Sequence, residues 1–189
     1  MPPIPHDHSI PSPWIVRFAH LVPRGARVLD VAAGRGRHAQ YFADRGAQVL
    51  AVDADAAALA VLADHPGIAT RVANLEAGAW PFADERFDAI VVTNYLHRPL
   101  FPHLRAALGV DGVLLYETFA MGNEQFGRPS NPDFLLCPGE LLSLAALPPD
   151  PLTIVAFEQG TIAEGERRAV VQRLAAVGST RAWPLPLSA

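Results

Sequence analysis

The sequence predicts an α/β fold built on a doubly wound, mostly parallel sheet. Three observations predict it. Apolar runs of strand length recur along the 189 residues, helix-forming stretches stand between them, and Gly34 and Gly36 follow the first run at once. Parallel strands buried on both faces read as near-continuous apolar runs, as VLDV, QVLAV and FDAIVVT do here.

Residues 1–12 hold four prolines and read as an irregular lead-in. Ser12 then serves as N-cap and Pro13 as first residue of a helix with Trp14, Ile15, Phe18 and Leu21 on one face. Val28–Val31 is the first strand. Ala39–Arg45 is a helix stopped by Gly46, and Gln48–Val52 the second strand. Ala56–Ala63 is helical and ends before His65-Pro66-Gly67; Ala69–Ala73 is the third strand and Phe87–Asn94 the fourth. A helix over Leu100–Leu108, the Val110-Asp111-Gly112 turn and a fifth strand, Gly112–Phe119, continue the alternation. The polar segment 120–136, with two glycines and two prolines, interrupts it; a loop of that length in a compact domain is usually functional or disordered. Pro138–Leu147 returns to helix, and Leu152–Glu158 and Arg167–Leu174 form a final antiparallel pair. The expectation is a seven-stranded sheet in a single domain, residues 1–189, with one antiparallel strand at the C-terminal edge.

Composition narrows the chemistry. Half the residues are apolar and 18% are charged, with a net charge of −4. All 15 bases are arginine. Without lysine there is no Schiff-base chemistry and no P-loop lysine. The arginines are scattered, so no nucleic-acid partner is expected. Cys137 is the only cysteine, which excludes an intrachain disulfide and a cysteine-rich metal site. No metal is expected; His6 and His8 of the lead-in are weak candidates. The start lacks the apolar core of a signal peptide, and AAALAVLA is too short to span a bilayer, so the expectation is a cytoplasmic chain with no membrane partner. The oligomeric state is not readable.

Gly34 and Gly36 open the helix that follows the first strand, where backbone N–H groups can meet an anion and a side chain would block the approach. Asp53 ends the second strand beside this turn, placed to accept hydrogen bonds from both ribose hydroxyls. Two ligands fit. Gly34-Arg35-Gly36-Arg37-His38-Ala39 satisfies the G-x-G-x-x-A pattern of dinucleotide sites, so NAD is one. Asp30 opposes it, because a carboxylate facing a pyrophosphate in a low-dielectric crevice is unfavourable. A ligand with an ammonium and a ribose uses both aspartates, and S-adenosylmethionine is one.

VLDVAAGRG followed by LAVDAD resembles motifs I and II of the class I S-adenosylmethionine-dependent methyltransferases, and the later segments match in order from about Arg27 to Leu174. Within that superfamily, GRGRHAQYFADRGAQVLAVD is similar to the tellurite-resistance type methyltransferases, and YETF with FGRPSNPDFLL to their small bacterial relatives. The resemblance implies a Rossmann-like sheet with S-adenosyl-L-methionine as cofactor. It implies that Asp30 orients the methionine end, Gly34 and Gly36 give it room, Arg37 matches an arginine of that group, and Asp53 with Ala54 holds the ribose. The family's acid for the adenine amino group falls on Asn74, a departure that weakens the bond; Leu75 walls the ring, and Asn94 closes strand four beside the methyl donor.

Each residue has a plainer role as well: Asp30 capping a turn, Asp53 capping a helix, Asn74 making an ordinary turn, Arg37 solvated. His97, after strand four, is a candidate general base, or a histidine that fixes its loop. Glu117 lines the site or anchors the loop, and Arg128 receives an anionic acceptor or ties segment 120–136 to an acid. The function expected is methyl transfer to a small or medium-sized nucleophile, with segment 120–136 building the acceptor pocket. The rivals are a non-catalytic protein that binds S-adenosylmethionine or a partner, and an NAD(P)-dependent oxidoreductase.

Overall fold

The computed structural model describes residues 10–148, 150–164, 167–182 and 184–185. His6, His8 and the first nine residues of the lead-in lie outside them.

Chain order gives α1 (Pro13–Phe18), β1 (Arg27–Val31), α2 (Arg37–Asp44), β2 (Gln48–Asp53), α3 (Ala56–Ala60) and β3 (Ile68–Val72). Then come β4 (Phe87–Thr93), α4 (Phe101–Ala107), β5 (Leu108–Phe119), α5 (Glu140–Ala145), β6 (Thr153–Glu164) and β7 (Arg167–Val177). The seven strands form one sheet in the order β3-β2-β1-β4-β5-β7-β6. All neighbours pair in parallel except β7, which is antiparallel to both β5 and β6. The one antiparallel strand is therefore β7, one place in from the edge, with β6 outermost. β7 runs back along β6 and pairs with β5 on its other side.

Alternate residues along each central strand pack against opposite layers. Leu29, Val31, Ile90, Val92, Leu114 and Tyr116 join Phe101 and Leu104 of α4 and Leu141 and Leu144 of α5. Val28, Ala89, Val91, Val113 and Leu115 join Trp14 and Phe18 of α1 and Ala39 and Phe42 of α2. Ser12 caps α1 as expected, accepting the Trp14 N–H at 3.2 Å.

Several boundaries differ from expectation: β6 runs on to Glu164 rather than Glu158, β7 to Val177 rather than Leu174, and α5 covers only Glu140–Ala145. α3 stops at Ala60, and residues to Ala63 continue in tight turns with Leu62 N–H on Leu59 O and Ala63 N–H on Ala60 O. The helix gives way because Pro66-Gly67 ends the run within one turn, while Leu62 still reaches the core. β5 begins at Leu108, and its ladder with β4 is broken by a register shift between Phe87 and Ala89, which absorbs the Val110-Asp111-Gly112 turn.

Segment 120–136 is folded. Ala120 bridges Leu136, Met121 N–H donates to Leu136 O at 3.0 Å, and two single-turn 3-10 helices, Asn123–Gln125 and Pro132–Phe134, lie between.

Candidate functional site

The carboxyl ends of β1, β2, β4 and β5 meet where the strand order reverses, the position at which open α/β sheets bind ligands. Two non-glycine residues are left-handed there: Ala32, just past β1 (φ 53°), and Asn94, just past β4 (φ 55°). For alanine this costs about 1 kcal/mol or more, and such strain clusters at functional sites. Asn94 N–H is held by Glu117 O at 2.9 Å.

The glycines divide the work. A Cβ on Gly36 (φ 75°) would meet the Leu62 side chain at 2.4 Å, so this glycine allows the turn to pack. A Cβ on Gly34 (φ 55°) would have nothing within 4 Å. Its open side is the space a ligand would use.

The N–H groups of the two glycines are already bonded, so neither is free to meet an anion as expected. Gly34 N–H donates to Asp53 Oδ2 at 2.7 Å, and Gly36 N–H to Ala33 O at 2.9 Å. A pyrophosphate would find neither donor, against the dinucleotide reading. Asp53 Oδ1 accepts the Asp55 N–H at 2.9 Å; Asp55, not Asp53, caps α3, taking the Ala57 and Ala58 N–H groups. Each Asp53 oxygen keeps a lone pair for a hydroxyl donor. Ala54, next to it, is exposed.

Asp30 is buried on β1, and its Oδ2 has no hydrogen-bond partner among the described residues. Burial pushes its pKa up to about 7, against the Ala39 backbone N–H and the Arg37 charge, which favour the carboxylate. A buried, partnerless carboxylate oxygen is costly unless a donor arrives. An ammonium would supply both donor and charge.

Further along the same face lies a buried polar row. His38 of α2 accepts the Ser12 N–H on Nε2 at 3.1 Å and faces Thr93 Oγ1 with Nδ1 at 3.3 Å. Burial, with Arg37 nearby, holds its pKa down at about 3, so the ring is neutral with its proton on Nδ1. Ser12 Oγ donates to Glu117 Oε1 at 3.0 Å. Glu117 Oε2 lies 2.5 Å from Arg173 Nε, without the alignment of a hydrogen bond. Glu117 thus sits beneath the lead-in, bonded to it. Arg37 donates to Ile10 O at 3.3 Å and steadies the same stretch.

The other candidates lie on the connections that follow β3, β4 and β5. Asn74 is exposed and its Oδ1 accepts the Glu76 N–H at 2.9 Å, an Asx turn; Leu75 is half-buried against the core. His97 is half-buried at the start of the turn after β4. Arg128 is exposed on segment 120–136 and meets none of the described acids.

Sequence reasoning missed Ala32, His38 and Arg98. Arg98 donates through Nε and Nη2 to Glu140 at 2.6 and 2.9 Å, through Nη1 to Asp133 O and through Nη2 to Leu135 O, both at 2.8 Å. It staples the end of segment 120–136 to the chain leaving β4. Arg98→Ala is expected to cost about 1–2 kcal/mol and to speed amide hydrogen exchange across 131–137 while β1 and β4 stay protected. Unchanged exchange there would remove the staple role.

This geometry can be set beside known proteins. Residues 28–110 match the methyltransferase domain family. The structure superposes on TehB from Haemophilus influenzae with a TM-score of 0.72 at 19% identity, covering 87% of this chain and 61% of that one. A TehB-like S-adenosylmethionine-dependent methyltransferase from Corynebacterium glutamicum gives 0.60 at 20% identity, covering 87% and 86%. The chain has the class I S-adenosylmethionine-dependent methyltransferase fold. In this methyltransferase fold the crevice above β1, β2 and β4 is the part the sequence motifs address. The demethylmenaquinone methyltransferase of Thermobifida fusca is 41% identical over 73 residues, 36% of this chain and 31% of that protein. That of Renibacterium salmoninarum is 41% identical over 69 residues, covering 36% and 29%. The chain spans about a third of the length of these curated relatives. Among the described residues no helix is long and apolar enough to cross a membrane.

Proposed function

We propose that the chain is a one-domain cytoplasmic enzyme that transfers a methyl group from S-adenosylmethionine to a small or medium-sized nucleophilic acceptor. The observation that carries this reading is the buried Asp30 oxygen without a partner, four residues ahead of the open side of Gly34 and one strand from Asp53. An ammonium at one end of a ligand and a ribose at the other match that set.

When bound, the cofactor supplies an electrophilic methyl group on a positively charged sulfur. Asp30 holds the ammonium, Gly34 leaves room for the chain that bears it, and Asp53 receives the ribose hydroxyls. Arg37 braces the lead-in over this end of the crevice. Leu75 packs against the base, and Asn74, committed to its turn, offers the adenine amino group only a remaining lone pair. Asn94 and His97 border the crevice at the end of β4, where His97 can take a proton from an acceptor that arrives protonated. Glu117 holds Ser12 in place from below, and Arg128 faces the acceptor. The main contribution of the protein is alignment for in-line displacement. The family match ends at residue 110, ahead of segment 120–136, so the acceptor of the curated relatives is not carried over.

Calorimetry tests the reading. S-adenosylmethionine and S-adenosylhomocysteine are expected to bind, and NAD not to. Binding of NAD with no heat from either adenosyl ligand would overturn it. Binding without release of S-adenosylhomocysteine across thiols, phenols, amines and oxyanions would favour the non-catalytic alternative.

A further inference from the structure

The buried polar row holds a second group placed for a ligand, the hydroxyl of Thr93. Side chains alternate along a strand, so Asp30 shares a face with Val28 and Thr93 with Val91. Both valines belong to the layer packed on α1 and α2. Asp30 pairs with Val91 in the β1–β4 register. Thr93 therefore stands on the next strand, one side-chain place nearer the carboxyl edge than Asp30. The first turn of α2 meets both residues, with the Ala39 N–H at Asp30 and the His38 ring at Thr93.

The direction of the Thr93 proton follows from hydrogen-bond accounting. Ser12 N–H can only donate, and it donates to His38 Nε2 at 3.1 Å, so Nε2 carries no proton. The neutral ring has its one proton on Nδ1, facing Thr93 Oγ1 at 3.3 Å. Thr93 accepts there, and its own O–H is left to be given elsewhere. Glu117, its cross-strand neighbour on β5, takes no bond from it: Oε1 accepts from Ser12 and Oε2 lies against Arg173. Among the described residues the Thr93 hydroxyl has no partner besides His38. Thr93 is only 8% exposed, so a donor without an acceptor is costly there.

A donor lacking an acceptor and an acceptor lacking a donor, Thr93 O–H and Asp30 Oδ2, are thus diagonal neighbours on adjacent strands that do not bond each other. An α-amino acid end matches the pair, because its ammonium and its carboxylate stand on one carbon. The N–H groups of Gly34 and Gly36 are spent within the turn, and the Arg37 charge that acts on Asp30 also favours an anion beside it.

We infer that Thr93 is a further cofactor-binding residue, giving its hydroxyl proton to the carboxylate of the methionine end while Asp30 holds the ammonium. His38 is the positioning residue that fixes the direction of that hydroxyl. The inference rests on the methyl-transfer reading, and the test separates the two. Calorimetry compares S-adenosylmethionine with its decarboxylated form, which keeps the ammonium and the ribose. Wild type is expected to hold S-adenosylmethionine about tenfold or more tightly. Thr93→Val keeps the branched shape and loses the hydroxyl. It is expected to weaken S-adenosylmethionine about tenfold and to leave the decarboxylated form within about twofold, and Thr93→Ser to restore the preference. Thr93→Ala takes its place if Thr93→Val does not melt cooperatively. Ring-nitrogen NMR of the wild-type chain, with His38 assigned by its absence in His38→Gln, is expected to find the proton on Nδ1. Equal wild-type affinity for the two ligands, or a Thr93→Val variant that loses both equally or neither, would overturn the carboxylate contact. A proton on Nε2 would overturn the role of His38. A wild-type protein that binds neither ligand would overturn the methyl-transfer reading as well.

Discussion

Asp53→Ala is expected to lower the affinity for S-adenosylmethionine roughly 10- to 1,000-fold, from the loss of two charge-assisted hydrogen bonds of about 1.5–3 kcal/mol each, part of which water recovers. The residue sits at the end of β2, half-buried, so the fold is expected to survive. The mutation also releases the Gly34 N–H, and two causes must be told apart: loss of the ribose contact and relaxation of the turn. Asp53→Asn separates them. It keeps one oxygen acceptor but not two, so either the turn bond or a ribose bond is lost, and an intermediate affinity is expected. A calorimetric titration in which Asp53→Ala binds like wild type, or a variant that no longer melts cooperatively, would remove Asp53 from the ribose role.

Asp30→Asn is expected to act in opposite directions on the free and the liganded protein. Burial raises the Asp30 pKa from 3.8 to about 7 in the folded chain. The folded state therefore holds a proton that the unfolded state has released between those values, and stability falls as pH rises across that window. Removing the ionisable group is expected to stabilise the free protein at pH 8 by an amount on the order of 4 kcal/mol, and to flatten its stability between pH 5 and 8. Binding should respond the other way. An ammonium partner requires the carboxylate, so wild-type affinity rises with pH up to about 7, and levels off as the ligand's own amino group, with a pKa near 8, begins to lose its proton. In Asp30→Asn the affinity is lower and the rise disappears. Thermal melts and titrations at pH 5.5, 6.5 and 7.5 are sufficient. A wild-type affinity that is flat over this range would sink the ammonium contact.

The sheet was legible because its central strands β1, β2, β4 and β5 carry apolar runs, and because Asp30, Gly34, Gly36 and Asp53 stand close in sequence. Their geometry follows from one β-turn-α-β unit. What the turn's N–H groups do was not legible. The Gly34 bond to Asp53 depends on how closely β2 approaches the turn, and no residue type announces that. Ala32 carries no signal at all, since alanine is an unfavoured residue for a left-handed backbone. His38 reads as an ordinary helix residue until Ser12, 26 positions away, is seen to donate to it. Arg98 shows the same limit, because its acceptors lie 35 to 42 positions on and require α5 to be docked first. Asn74 takes the turn role that was one of its two readings, because an asparagine two residues before an N–H can fold back on it.

The Ser12 contacts reach into how the protein can be handled. This one residue caps α1 and gives a partner both to the neutral ring of His38 and to the Glu117 carboxylate. A shortened chain that starts at Pro13 would look tidy, since it trims the proline-rich stretch and begins on a helix. It would leave the His38 Nε2 acceptor and the Glu117 Oε1 oxygen without the partners that Ser12 supplies. Affinity tags and cleavage sites are better placed ahead of residue 10, where Ile10 O and the Arg37 guanidinium still meet.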